Sequence, residues 1–110
     1  MTEVSVVVMT APSEDVAASI AKTLVEEGLI ACANLVPRVR SIYRWEGATH
    51  DEAETLVMMK TATARLARLV ERVKALHPYS VPEVLELAVR SGSQPYLDWV
   101  LAETRLPAER

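Results

Sequence analysis

The sequence has 110 residues, half of them hydrophobic, and a formal net charge of −3. This length suits one domain, which we place over residues 1–110, and a chain of this size gains stability from association with other chains. The acidic balance argues against non-specific binding to nucleic acid or to an anionic membrane surface. No secretory leader or membrane span is expected, because no apolar run approaches the ~20 residues that a span needs.

The polar composition indicates a cytoplasmic and heat-stable protein. The one cysteine, Cys32, excludes an intrachain disulfide and is typical of a reducing compartment. Side-chain amides occur only at Asn34 and Gln94. Proteins from thermophiles commonly contain few side-chain amides.

The N-terminal part of the chain predicts a strand followed by a helix. Residues 4–10 form a β-branched run that is typical of a central strand. Ser13 is placed to cap a helix with one apolar stripe, and Gly28 is placed to end it in the left-handed conformation.

A long hairpin is predicted next. Residues 29–45 alternate as an extended strand, with a kink at Pro37 because proline has no N–H to donate to a sheet. Residues 47–52 are predicted as the turn, and residues 55–61 as the returning strand.

The C-terminal part predicts a second helix over residues 63–76, whose arginine-rich face is expected to be solvated. Pro78 and Pro82 end this helix and begin a fourth strand at residues 83–89. A last short helix is predicted over residues 94–104.

This order predicts an α+β fold, namely a ferredoxin-like βαββαβ sandwich with a long hairpin and a C-terminal helix. Helices cover one face of such a sheet, yet apolar side chains are available to both faces. Self-association is therefore expected. The apolar side chains are Val6, Val8, Tyr43, Trp45, Val57 and Met59.

Local enzyme motifs are absent from the sequence, and three glycines leave little backbone to cradle a phosphate. His77 follows the end of a helix, so it either caps free carbonyl groups or belongs to a pocket or metal site. Cys32 is either a small buried hydrophobe, a ligand or a nucleophile. Trp45 and Glu46 at the hairpin tip are interpreted first as contacts between subunits and second as pocket residues.

Three segments together resemble the CutA family of divalent-cation tolerance proteins. They are Ala-Cys-Ala-Asn-Leu-Val-Pro at 31–37, Ser-Ile-Tyr-Arg-Trp-Glu-Gly at 41–47 and Leu-His-Pro-Tyr-Ser-Val-Pro-Glu at 76–83. Tyr-Leu-Asp-Trp-Val at 96–100 extends the resemblance to essentially the whole chain. One departure is Ala48, where a lysine commonly follows Trp-Glu-Gly in the family.

The resemblance implies a stable cytoplasmic homotrimer whose hairpins pack across subunits, with an architecture similar to that of the PII signalling proteins. It also implies a non-enzymatic role in the response to metal ions, with binding of copper or another divalent cation. The family pattern falls on Cys32, Tyr43, Trp45, Gly47, Lys60, His77, Pro78, Tyr79, Pro82 and Glu83.

Several functions follow from these residues. A metal site could use Cys32, His77 and Glu83, since thiolate and imidazole suit copper or zinc, although the three lie on separate elements. A PII-like small-molecule sensor could bind its ligand in a cleft between subunits with Lys60, Tyr79 and Glu83. An enzyme using His77 or Cys32 and a scaffold whose function is the trimer itself are the remaining alternatives.

Overall fold

Four antiparallel strands form one sheet in the computed structural model, which describes residues 1–105. The sheet order is β2-β3-β1-β4. The strands are β1 (Val4–Ala11), β2 (Cys32–Trp45), β3 (Ala48–Ala62) and β4 (Val84–Ala88). The helices are α1 (Glu14–Glu26), α2 (Leu66–Leu76), which follows a 3₁₀ turn at Thr63–Arg65, and α3 (Gln94–Glu103). The predicted ferredoxin-like order with a C-terminal helix is confirmed.

The main core lies between the sheet and helices α1 and α2. Val7 and Met9 of β1 stand opposite Met59 and Val57 of β3, and all four side chains are fully buried. Burial of each such side chain stabilises the fold by about 1.5–3 kcal/mol. The alternation of the central strands therefore accounts for the core.

Helix α1 begins and ends where its capping residues predict. The Ser13 side chain accepts a hydrogen bond from the Val16 N–H at 3.2 Å. Gly28 adopts φ +73°, the left-handed conformation that stops a helix. Beside this end, Arg72 of α2 donates two hydrogen bonds of 2.8 Å to Glu27, so the charged face of α2 also links the two helices.

The β2–β3 hairpin extends beyond the four-stranded part of the sheet. Strand β1 pairs with β3 only from Thr55 to Ala62, so residues 39–54 form a two-stranded ribbon, which we call the arm. The kink predicted at Pro37 is present as a break in register between Val36 and Val39.

The turn of the hairpin is shorter than predicted. Glu46 and Gly47 alone connect the strands, with φ +50° and +77°, as in a type I′ turn. The prediction of a turn over residues 47–52 was wrong, because β3 already begins at Ala48. The polar residues 50–52 lie in a largely exposed ribbon, where strands do not show an apolar alternation.

The second face of the sheet is only partly covered. Helix α3 packs on one end of it, where Val4, Leu97 and Val100 are buried together. Leu85 and Leu87 of β4 remain 59% and 52% exposed. The exposed apolar side chains on this face are consistent with the self-association predicted from the sequence.

None of the helices within residues 1–105 is long and apolar enough to cross a membrane.

We predict that Gly47→Ala lowers the free energy of unfolding by about 1 kcal/mol, because a side chain is strained in the left-handed conformation. A Cβ at Gly47 would meet nothing within 4 Å, so the cost comes from the backbone alone. Urea denaturation at matched protein concentration measures it.

Gly92→Ala is the matched control. Its added Cβ would approach Leu97 at 3.7 Å, an ordinary van der Waals contact, and Gly92 is outside the left-handed region. We expect a change within about 0.5 kcal/mol. Equal losses in the two variants would contradict the assignment of the turn.

Candidate functional site

A groove of about 530 Å³ lies between the arm and the corner that joins α2 to β4. Three of the five aromatic side chains of the protein line it, and among residues 1–105 its two charged lining residues are both glutamates. We call it the Glu54 groove. Its lining residues are Thr10, Ser41, Ile42, Tyr43, Trp45, Glu54, Tyr79, Ser80, Val81 and Glu83.

Glu54 and Tyr79 form the polar contact at the base of the groove. Glu54 belongs to β3 at the point where the arm begins, and the residue is only 8% exposed. The Tyr79 hydroxyl group donates a hydrogen bond of 2.7 Å to Glu54 Oε2. Burial, followed by the hydrogen bond to Glu54 and the negative charge of Glu54, raises the pKa of Tyr79 well above its usual range. The phenol is thus held in its neutral form as a donor.

His77 fixes the corner that carries Tyr79. Its Nδ1 accepts a hydrogen bond of 3.1 Å from the Tyr79 N–H, so the proton of the neutral ring is on Nε2. Nε2 then donates to the Thr10 carbonyl oxygen at 2.7 Å. The buried ring therefore links the corner to β1 instead of capping the carbonyl groups of its own helix. A metal ion could bind this ring only by replacing one of the two hydrogen bonds.

Cys32 belongs to a different polar cluster, at the start of β2. It stands opposite Lys60 in the β2–β3 ladder, and its Sγ lies 3.3 Å from the hydroxyl oxygen of Tyr96 on α3. The hydrogen bond to Cys32, with burial as a smaller cause, raises the pKa of Tyr96. Lys60 Nζ donates a hydrogen bond to Asn34 Oδ1. We call Cys32, Asn34, Lys60 and Tyr96 the thiol cluster.

The thiol cluster and the Glu54 groove are separate within one chain. Glu54 and Lys60 are six residues apart on β3, which corresponds to about 20 Å along a strand. Lys60 therefore does not join Tyr79 and Glu83, although those two residues do line one groove.

The proposed metal ligands are likewise dispersed. The His77 ring contacts Thr10, which pairs with Leu56 of β3. Cys32 pairs with Lys60 of the same strand. Leu56 and Lys60 are four residues apart, so about 13 Å of strand separates the positions of His77 and Cys32. Within residues 1–105, no three His, Cys, Asp or Glu side chains are grouped so that they could hold a metal ion.

The contacts made by Glu54 and His50 were not identified from the sequence. Glu54 lies two residues before Leu56 on the same strand face. Its partner Tyr79 is 25 residues away, so no local sequence pattern predicts the contact. His50 lies within residues 47–52, which were assigned to a turn from the sequence. It stacks on Tyr43 in the arm, with ring centroids 5.1 Å apart.

Removing the Tyr79 hydroxyl group should destabilise the protein. We expect Tyr79→Phe to lower the free energy of unfolding by about 1–3 kcal/mol at neutral pH, because the buried Glu54 carboxylate loses a hydrogen bond. Urea denaturation of the variant beside the wild type measures this. An unchanged stability would show that the hydrogen bond contributes nothing net.

The same variant should alter the dependence of stability on pH. Unfolded tyrosine ionises near pH 10 whereas folded Tyr79 stays neutral to higher pH, so unfolding releases a proton there. The stabilisation that the neutral Tyr79 hydroxyl group provides is complete below about pH 10. It is lost as the pH rises through the pKa of Tyr79 in the folded protein. The difference in melting temperature between the wild type and the variant should therefore be constant up to about pH 10 and narrow as the pH rises above that value. A constant difference would contradict the raised pKa.

Comparison with known proteins gives the family. The family model of the CutA1 divalent ion tolerance protein matches residues 5–103. The chain is 52% identical over 99 residues to the divalent-cation tolerance protein CutA of Thermus thermophilus, covering 90% of this chain and 96% of that protein. It is 44% identical over 97 residues to protein CutA of Homo sapiens, covering 88% of this chain and 54% of the human protein.

Solved structures agree with this match. The divalent cation tolerance protein of Thermus thermophilus superposes with a TM-score of 0.90 at 51% identity, over 93% of this chain and 99% of that chain. CutA1 from Oryza sativa superposes with a TM-score of 0.91 at 39% identity, over 94% of this chain and 95% of that chain. Sequence and fold together place the whole matched region in one family, and the chain belongs to the CutA1 divalent ion tolerance family.

Proposed function

We propose that this protein acts in the response of the cell to divalent cations, as a cytoplasmic homotrimer that binds copper or another divalent cation. The observation that carries the proposal is the family match, which spans residues 5–103. The role is one of binding, not catalysis. Heat stability, as indicated by the scarcity of side-chain amides, belongs to the same proposal.

The uncovered second face of the sheet supports the homotrimer. Leu85 and Leu87 lie beside Val8 and Val6 of β1, so the four side chains form one apolar strip. A strip of this kind costs free energy while it is in water, and a second copy of the chain can cover it. The arm supports the same proposal, because an isolated two-stranded ribbon is marginally stable until it packs on another surface.

We expect Leu85→Lys to weaken the assembly by about 2 kcal/mol or more, since it would bury an ammonium group in an apolar contact. Sedimentation velocity over a dilution series measures the effect. Val25→Lys is the matched control, because Val25 is an apolar residue of α1 that is 43% exposed on the helical side of the sheet. Equal behaviour of both variants would argue against assembly through the second face.

The copper site that we propose draws its ligands from two chains. Cys32 is the softest ligand of the protein and is only half-buried, and a thiolate suits copper or zinc. His77 and Glu83 are distant from it within one chain, so in this proposal they reach it from a neighbouring subunit. The shared site makes copper binding depend on assembly.

Copper titration followed by mass spectrometry under non-denaturing conditions tests the site. We expect about one copper ion per chain in the wild type and loss of the ion in Cys32→Ser, because a hydroxyl group is a much poorer copper ligand than a thiolate. His50→Ala removes an imidazole of the arm and should leave the stoichiometry unchanged. Copper retained by Cys32→Ser, or a wild type that retains none, would contradict this site.

A further inference from the structure

The Glu54 groove contains a buried carboxylate that is not paired with a cationic side chain of residues 1–105. Glu54 is 8% exposed, and among residues 1–105 its hydrogen-bond partner is the Tyr79 hydroxyl group, with no lysine, arginine or histidine paired to it. A carboxylate removed from water is costly unless an opposite charge accompanies it. The groove is therefore suited to receive a positive charge.

The surroundings of Glu54 add further negative potential. Glu83 lines the same groove, and Glu52 lies one step further along the arm on the same strand face as Glu54. The pKa of Tyr43 is raised by burial and then by the charges of Glu52 and Glu54, so these carboxylates act on the groove wall. Each described charged group that lines the groove has the same sign.

Aromatic rings form the remaining wall. Tyr43, Trp45 and Tyr79 line the groove, and Trp45 and Tyr43 are 44% and 39% exposed. The faces of such rings attract cations within about 6 Å, most strongly for tryptophan. Aromatic walls combined with a buried carboxylate favour an organic cation that is partly apolar.

The dimensions of the groove favour a small molecule over a metal ion. Its volume of about 530 Å³ lies in the range of small-molecule sites. No trio of metal-ligating side chains is present within residues 1–105. Carboxylate and phenol oxygen atoms accept hydrogen bonds, so a cation with N–H groups matches them better than a fully alkylated one.

We propose that the Glu54 groove binds a small organic cation with N–H donors, namely a primary ammonium, amidinium or guanidinium compound. In this site Glu54 accepts hydrogen bonds from the cation while Tyr43 and Trp45 contact its apolar part. The inference does not depend on copper, because Glu54, Tyr43 and Trp45 are not among the proposed copper ligands.

Titration calorimetry of the assembled protein in the presence of EDTA tests the proposal. The probe is benzamidine, and benzamide is the matched neutral compound of nearly the same shape. We expect benzamidine to bind at least tenfold more tightly than benzamide. EDTA removes divalent metal ions, so the result is independent of the outcome of the copper titration.

Three variants locate the binding. Glu54→Gln should weaken benzamidine binding at least tenfold, and Trp45→Leu should weaken it about 2- to 5-fold through loss of the ring face. Glu71→Gln, an exposed carboxylate of α2 away from the groove, should leave it unchanged. If Glu54→Gln does not fold, Glu83→Gln replaces it in the test, with weaker binding again expected.

The following results would overturn the proposal. Equal affinities for benzamidine and benzamide would show that charge is not recognised. Unchanged binding in both glutamine variants of the groove would place the cation elsewhere. Absence of binding to the wild type, together with easier dissociation of the assembly in Glu54→Gln, would assign Glu54 to a contact with a neighbouring subunit.

Discussion

Strand β3 has two different environments, and the structure depends on the boundary between them. From Leu56 to Lys60 the strand is paired on both edges, with β1 and with β2, and its alternate side chains Val57 and Met59 complete the core. Before Thr55 it is bonded to β2 alone. Glu54 is the first residue beyond the pairing with β1, which explains how a carboxylate can be buried without entering the core. The period of two along one strand thus positions both the core and the groove.

The sequence signals that succeeded are local ones. Ser13 and Gly28 mark the ends of α1 because capping and left-handed backbone conformations require particular residue types. Pro37 marks the bulge because it has no N–H group to donate. The turn was misplaced because residues 50–52 carry polar groups on both faces of a ribbon, so neither alternation nor hydrophobicity identifies the strand.

The candidate site was predictable only in part. Tyr79 and Glu83 were identified through the family motif, and they do line one groove. Glu54 was not identified, because its burial results from a contact between the arm and a corner that are distant in sequence. The role of His77 was also not predictable, since the Thr10 carbonyl group that accepts its hydrogen bond belongs to β1, which is distant in sequence.

Two chemically different regions therefore coexist in a small chain. The thiol cluster offers sulfur and an amine, whereas the Glu54 groove offers carboxylates and aromatic faces. Soft metal ions prefer the first set and organic cations the second. Within one chain about 20 Å of strand separates Glu54 from Lys60, so the two regions share no side chain.

The bulge at Pro37 and Arg38 also allows the length of the arm to vary independently of the rest of the sheet. Beyond this point the arm has its own register, so its length can change without shifting the pairing of the body. Adding one residue to each strand would turn Tyr43 and His50 to the opposite face, whereas adding two restores the original faces. The reach of the arm can therefore change only in increments of about 7 Å, two residues per strand at a time. Any redesign of how far one subunit extends must respect that step.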